Sequence, residues 1–222
     1  MVSGEWRMVN EMWGSCGFHH LSDIYIMLRK LPLLFVGSCL FCSMAIGQSY
    51  NQQLLTYQDK YKRDLFAIIG NDTSFVKFYP VDSSFRVTAK IEKLVGQSFF
   101  PMNTSNQKPK EAIKYAIVKF TLNGTEYKLF AYQLSKLLQS EEYKDNFFIP
   151  FTDQTTGIDS YIGGRYIDFV MKDILPGNQL VIDFNKAYNP YCAFKKGFSC
   201  PIPPEENKLQ AGIWAGEMDF FK

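Results

Sequence analysis

The sequence predicts a mainly β domain of the α+β class: an antiparallel sheet preceded by one N-terminal amphipathic helix. Three observations predict it. Residues 84–93 alternate apolar and polar with the period of a strand. Asn123-Gly124 joins two further alternating runs, and a helical period is clear only between Ser49 and Phe66. These patterns leave open whether the sheet closes like a barrel, packs as a sandwich or stays open.

In the helix, Leu54, Tyr57, Tyr61 and Leu65 share one face, with Gln, Lys and Asp on the other, and Ser49 or Asn51 can cap it. Along the first strand Phe85, Val87, Ala89 and Ile91 face the core, while Arg86, Thr88, Lys90 and Glu92 face away. Asn123-Gly124 suits a type I′ hairpin turn, since both of its central residues need positive φ. Folding there sets Leu122 opposite Thr125, Phe120 opposite Tyr127, Val118 opposite Leu129 and Ala116 opposite Ala131. One face is then almost wholly apolar, which supports the register independently of the turn. Strands are expected at 147–151, 165–171 and 179–185, the last two parted by the turn residues Leu175-Pro176-Gly177-Asn178. A final strand is expected over 211–215.

The 222 residues are 46% hydrophobic and 21% charged with a formal charge of +2, which excludes a disordered chain and a multi-span membrane protein. A charge near zero also gives no electrostatic footprint for nucleic acid. Met27 to Lys30 is a short basic start, Leu31 to Met44 is apolar, and Ala45 and Gly47 are small residues at −3 and −1. Together they read as a secretory signal over residues 27–47, cleaved after Gly47. A retained anchor, or lipidation at Cys39, is the alternative. Residues 1–26 then precede the natural start at Met27 and read as an upstream extension. Residues 48–222 form one exported domain, periplasmic or extracellular, with no membrane span of its own after cleavage. His19 and His20 are the only histidines, so the mature chain has no histidine for a Ser-His-Asp centre or a metal site, and nothing in it asks for a cofactor. Asn71, Asn103 and Asn123 fit the glycosylation pattern, which carries no meaning in a bacterial protein.

Unusual polar residues cluster in the last third of the chain. The segments are Gly163-Gly164-Arg165-Tyr166, then Asp183-Phe184-Asn185 leading through Ala187-Tyr188-Asn189-Pro190 to Cys192-Ala193. Cys200-Pro201 leads on to Pro203-Pro204 and Glu206-Asn207, and Ala215-Gly216-Glu217 closes the series. In this order the chain resembles the family called domain of unknown function 1684, found widely in bacteria, over about Leu65 to Glu217. The resemblance implies no established activity.

Read as chemistry, Asp183 and Asn185 share one face of a strand whose other face carries Leu180, Ile182 and Phe184. Short polar side chains there either orient the following loop or border a ligand pocket at the sheet rim. The candidate ligand-binding residues are Arg165, Tyr166, Asp183, Asn185, Tyr188, Asn189, Glu206, Asn207 and Glu217. Arg165 would meet a carboxylate or phosphate, or else pair with Glu217 or another carboxylate of the domain. Cys192 and Cys200 remain after cleavage, and in an oxidising compartment they are expected to form a disulfide worth about 2.5 kcal/mol. The expected function is a ligand-binding or structural module of the cell envelope, with an unknown small molecule or envelope component as partner. The alternative is a hydrolase using two of Asp153, Asp159, Asp183, Glu205, Glu206 and Glu217 on an envelope polymer or small ester.

Overall fold

The computed structural model describes the backbone of residues 32–221 and the side chains from Ser49 to Phe221. The expected upstream extension and the side chains of the signal segment lie outside the described residues. The chain divides after Gln48 into two compact units, and the sheet and core belong to the second, Ser49–Lys222.

Helix α1 spans Pro32–Ile69 and ends at Gly70, whose φ of 59° is the left-handed conformation that closes a helix. Leu54 and Leu65 are buried and Tyr57 and Tyr61 half-buried, so the face expected from the period is the one that packs. Among the described residues no helix is long and apolar enough to cross a membrane. Beyond a 3₁₀ turn at Gly70–Phe75, eight strands follow: β1 (Arg86–Lys93), β2 (Phe100–Met102), β3 (Lys110–Leu122), β4 (Thr125–Leu134), β5 (Asn146–Phe151), β6 (Arg165–Val170), β7 (Ile174–Leu175) and β8 (Gln179–Asp183). A short helix, α2 (Ser135–Leu138), leads out of β4.

All pairings are antiparallel, in the order β6-β5-β4-β3-β1-β8-β7 with β2 against β3, and the sheet is not closed into a barrel. The edge strand β6 nevertheless gains one further partner. The chain leaving β8 returns to pair Tyr188 with Tyr166 of β6, through bonds of 2.9 and 3.0 Å between their peptides. The hairpin takes the expected register, with φ of 50° at Asn123 and 78° at Gly124. Its inward face joins Ala89, Ile91, Ile149, Ile167 and Ile182 in the main core. The opposite face of β4 and β5 carries a smaller cluster of Met102, Ala112, Tyr132 and Phe148.

Two expectations fail for one physical reason: side chains satisfy backbone that neighbouring strands would otherwise pair. Residues 211–215 form no strand, because carbonyls of this segment accept hydrogen bonds from the Arg165 side chain. Strand β8 stops at Asp183, whose carboxylate accepts the Asn185 N–H at 3.1 Å and turns the chain into a 3₁₀ turn, Phe184–Lys186. Asn185 therefore does not continue the strand face carrying Asp183.

Candidate functional site

The polar cluster resolves into three assemblies and a recess. In the first, Arg165 is fully buried at the start of β6. Its Nη2 donates to Asp153 Oδ2 at 2.8 Å and Ile213 O at 2.9 Å, and its Nη1 to Ala215 O at 2.6 Å and Glu217 O at 3.2 Å. The other oxygen of Asp153 accepts from Thr155 N, Thr155 Oγ1 and Ile213 N. Both terminal nitrogens of the guanidinium and both oxygens of the carboxylate are thus hydrogen-bonded, as a buried charge pair requires, while Arg165 Nε has no partner among the described residues. Two glycines permit the approach. A Cβ on Gly164 would lie 2.6 Å from Phe151 O, and one on Gly216 would lie 2.6 Å from Phe184 O. Both residues have φ near 80°, a region costly for other residues.

In the second assembly two asparagines stand in for backbone. Asn207 accepts from Phe130 N at 2.7 Å and donates to Phe130 O at 2.9 Å and Pro150 O at 2.6 Å, bridging β4 and β5. Asn185 accepts from Asp82 N and donates to Asp82 O in the same two-pronged manner. Asp183 accepts from Tyr50, which ties β8 to α1. Glu206 is held by Lys114 at 2.6 Å and by the Tyr132 hydroxyl.

The third assembly surrounds Glu217, buried and without a formal ion pair. Its Oε2 accepts from Asn189 N at 2.7 Å and Tyr61 Oη at 2.8 Å, while Oε1 has no partner among the described residues. Burial pushes its pKa up to about 8, against the opposing pull of these donors and of Arg165. The neutral acid carries a proton, and the side chain of Asn189 lies against it with an Oδ1 that also lacks a partner.

The recess, of about 740 Å³, opens between α1 and the β6 end of the sheet. Tyr57 and Tyr61 come from the helix, Leu134 and Leu137 from the end of β4 and from α2, Tyr166 and Asp168 from β6, and Tyr188 from the returning chain. Tyr188 Oη donates to Asp168 Oδ2 at 2.7 Å. Asp168 and Tyr188 also line two neighbouring hollows. The carboxylate is open to solvent, yet protein occupies most of its surroundings, and this desolvation raises its pKa to about 6 despite the tyrosine bond.

Of the nine residues expected to bind a ligand, Tyr166 and Tyr188 line this recess, while Arg165, Asn189 and Glu217 lie together behind it in the buried network. Asp183 lines one adjoining hollow, and Asn185, Glu206 and Asn207 hold backbone or neighbouring side chains. Asp153 and Glu205, named for hydrolysis, are paired with Arg165 and Lys208. Sequence reasoning missed Asp168, Tyr57 and Tyr61 as recess residues. The signal for Asp168 was its place two residues after Tyr166, hence on the same face of β6.

The expected disulfide is not formed: Cys192 and Cys200 are free, with Cys200 Sγ accepting the Cys192 N–H at 3.3 Å. A hydrogen bond from the Cys200 thiol makes Cys192 the more acidic of the two and pushes it down to about 6. Among the described residues no group of three or more His, Cys, Asp and Glu side chains is placed to hold a metal.

Residues 71–218, which contain the three assemblies apart from their helix partners Tyr50 and Tyr61, and most of the recess, match the model of the family described as a protein of unknown function, DUF1684. The chain belongs to that family. DUF1684 covers Tyr166, Asp168 and Tyr188, whereas Tyr57 and Tyr61 lie before the matched residues. The chain is also similar to the solution NMR structure of the uncharacterized protein from gene locus rrnAC0354 of Haloarcula marismortui. Identity is 29% over 78% of this chain and 96% of that one, with a TM-score of 0.59. A search of curated proteins finds no match.

Replacing Arg165 by Ala leaves Asp153 buried and unpaired and strips three carbonyls, so urea unfolding should show a loss of about 3–5 kcal/mol. Glu217 binds its proton more tightly folded than unfolded. Its contribution is therefore fully present below about pH 4.5 and lost as pH rises through about 8. Melting temperature should fall over that window. Glu217→Gln, which stays neutral, should flatten the decline above about pH 6, where Asp168 has already ionised.

Proposed function

We propose that this domain is an exported binding module of the cell envelope and that a small molecule or envelope component enters the recess between α1 and β6. One observation carries the reading: a cavity of about 740 Å³ walled largely by tyrosine, leucine and proline side chains holds Asp168, a carboxylate raised above its ordinary range. Apolar walls around a few fixed polar groups are what small-molecule sites require. The buried assemblies behind the recess support it by holding Tyr188 and the β6 end of the sheet in place, since rigid support preserves a site's geometry.

Export is supported by the basic, apolar and small-residue pattern of residues 27–47 and by a compact unit that begins at Ser49, two residues beyond Gly47. Outside the cytosol, oxidation of the adjacent Cys192 and Cys200 to a disulfide fits the compartment.

Two measurements test these points. In NMR screening against a mixture of small-molecule fragments, shifts should concentrate at Tyr166, Asp168 and Tyr188 and vanish in Leu137→Trp, which fills the recess. Shifts scattered over the surface, or unaffected by the filling, would remove the binding reading. Intact mass of protein from its native compartment, alkylated without reductant, should begin at Gln48 and carry no alkyl group. A chain retaining residues 27–47 argues against cleavage and release, and two alkyl groups against the disulfide.

A further inference from the structure

We propose, resting on the binding reading of this same recess, that its ligand is an organic cation held between the rings of Tyr57, Tyr61 and Tyr188 and the carboxylate of Asp168. The three rings form a continuous wall. Tyr57 and Tyr61 stack with centroids 6.5 Å apart, and Tyr61 meets Tyr188 at 6.2 Å with a tilt of 53°. Their hydroxyls already have partners within the protein. Tyr57 donates to Lys186 O at 3.2 Å, Tyr61 to Glu217 and Tyr188 to Asp168. What remains for a ligand is ring surface, whose negative faces attract a cation.

The counter-charge is Asp168. Tyr188 is its one hydrogen-bond partner among the described residues, and none of their ion pairs includes it. Asp168 is raised by desolvation, and a cation beside it would relieve that cost by favouring the charged form. Asp64 and Lys110 also line the recess and contribute one charge of each sign, so Asp168 leaves its lining with a net negative charge. The protein itself shows that these rings accept ammonium groups: Lys186 Nζ lies 5.5 Å from the centroid of Tyr57. A neutral or anionic ligand would leave Asp168 buried beneath it without compensation.

Choline and 3,3-dimethylbutan-1-ol have nearly the same shape and differ in charge. Both should be titrated into the domain and followed by NMR shifts at Tyr57, Tyr61, Asp168 and Tyr188. Choline should bind at least tenfold more tightly than its neutral isostere. Asp168→Asn, which keeps an acceptor for Tyr188, should abolish that preference while the thermal melt stays cooperative. Tyr57→Leu, apolar but without a ring face, should weaken choline and spare the alcohol, and it serves should the Asp168 variant fail to fold. Equal binding of the two probes, or tighter binding of the alcohol or of acetate, overturns the cation assignment while leaving the recess a binding site. Absence of shifts with these probes, while fragments still bind there, also overturns it. No binding by probes or fragments removes the recess as a site.

Discussion

A single buried guanidinium constrains most of this structure. Arg165 is a charge buried in the core, and such a charge is tolerable only when it is paired and hydrogen-bonded. Asp153 neutralises it, and three carbonyls between Ile213 and Glu217 complete the cradle. This fixes the path of the C-terminal segment across the strands and aligns Gly216 and Glu217 beside Ala187, to which the Glu217 N–H donates at 2.9 Å. From there Glu217 reaches Asn189 and Tyr61, so one charge sets the positions of the returning chain, the helix and the recess wall between them.

Strands whose pairing rests on backbone alone were legible in the sequence. Strand β1 and the β3–β4 hairpin follow from alternation and from Asn123-Gly124, because burial of one face and positive φ at two positions are local demands. The apolar face of α1 was legible for the same reason. Elements whose backbone is satisfied by distant side chains were not. Residues 211–215 carry enough apolar character to resemble a strand, yet their partner is a guanidinium 48 or more residues away. The motif residues drew attention as a ligand site because they are polar and clustered, whereas most of them face other parts of the chain. Asp168, which faces the cavity, lies in the same stretch but looks ordinary in sequence. Only the convergence of α1, β6 and the returning chain distinguishes it.

Asn185 and Asn207 share one solution to a packing problem. Each side-chain amide presents a donor and an acceptor with the spacing of a peptide group, so it can pair with a remote peptide where no strand fits. Asn207 joins β4 and β5 beyond their brief pairing at Tyr132 and Phe148. The sheet therefore remains continuous although the ladder between those strands is short, and the neighbouring α2 is free to turn out and supply Leu137 to the recess.

The anchoring of Arg165 by Ile213, Ala215 and Glu217 also governs when the chain can fold. A growing polypeptide released only as far as residue 212 already contains the guanidinium and the sheet around it, but none of the carbonyls that solvate that charge in the finished domain. Until residues 213–217 emerge, water is the better environment for Arg165, and closing the core around it is unfavourable. Contacts of such sequence separation are also slow to form, because loop closure precedes their reward. Closing the core around Arg165 is thereby coupled to the arrival of residues 213–217, however much chain precedes them.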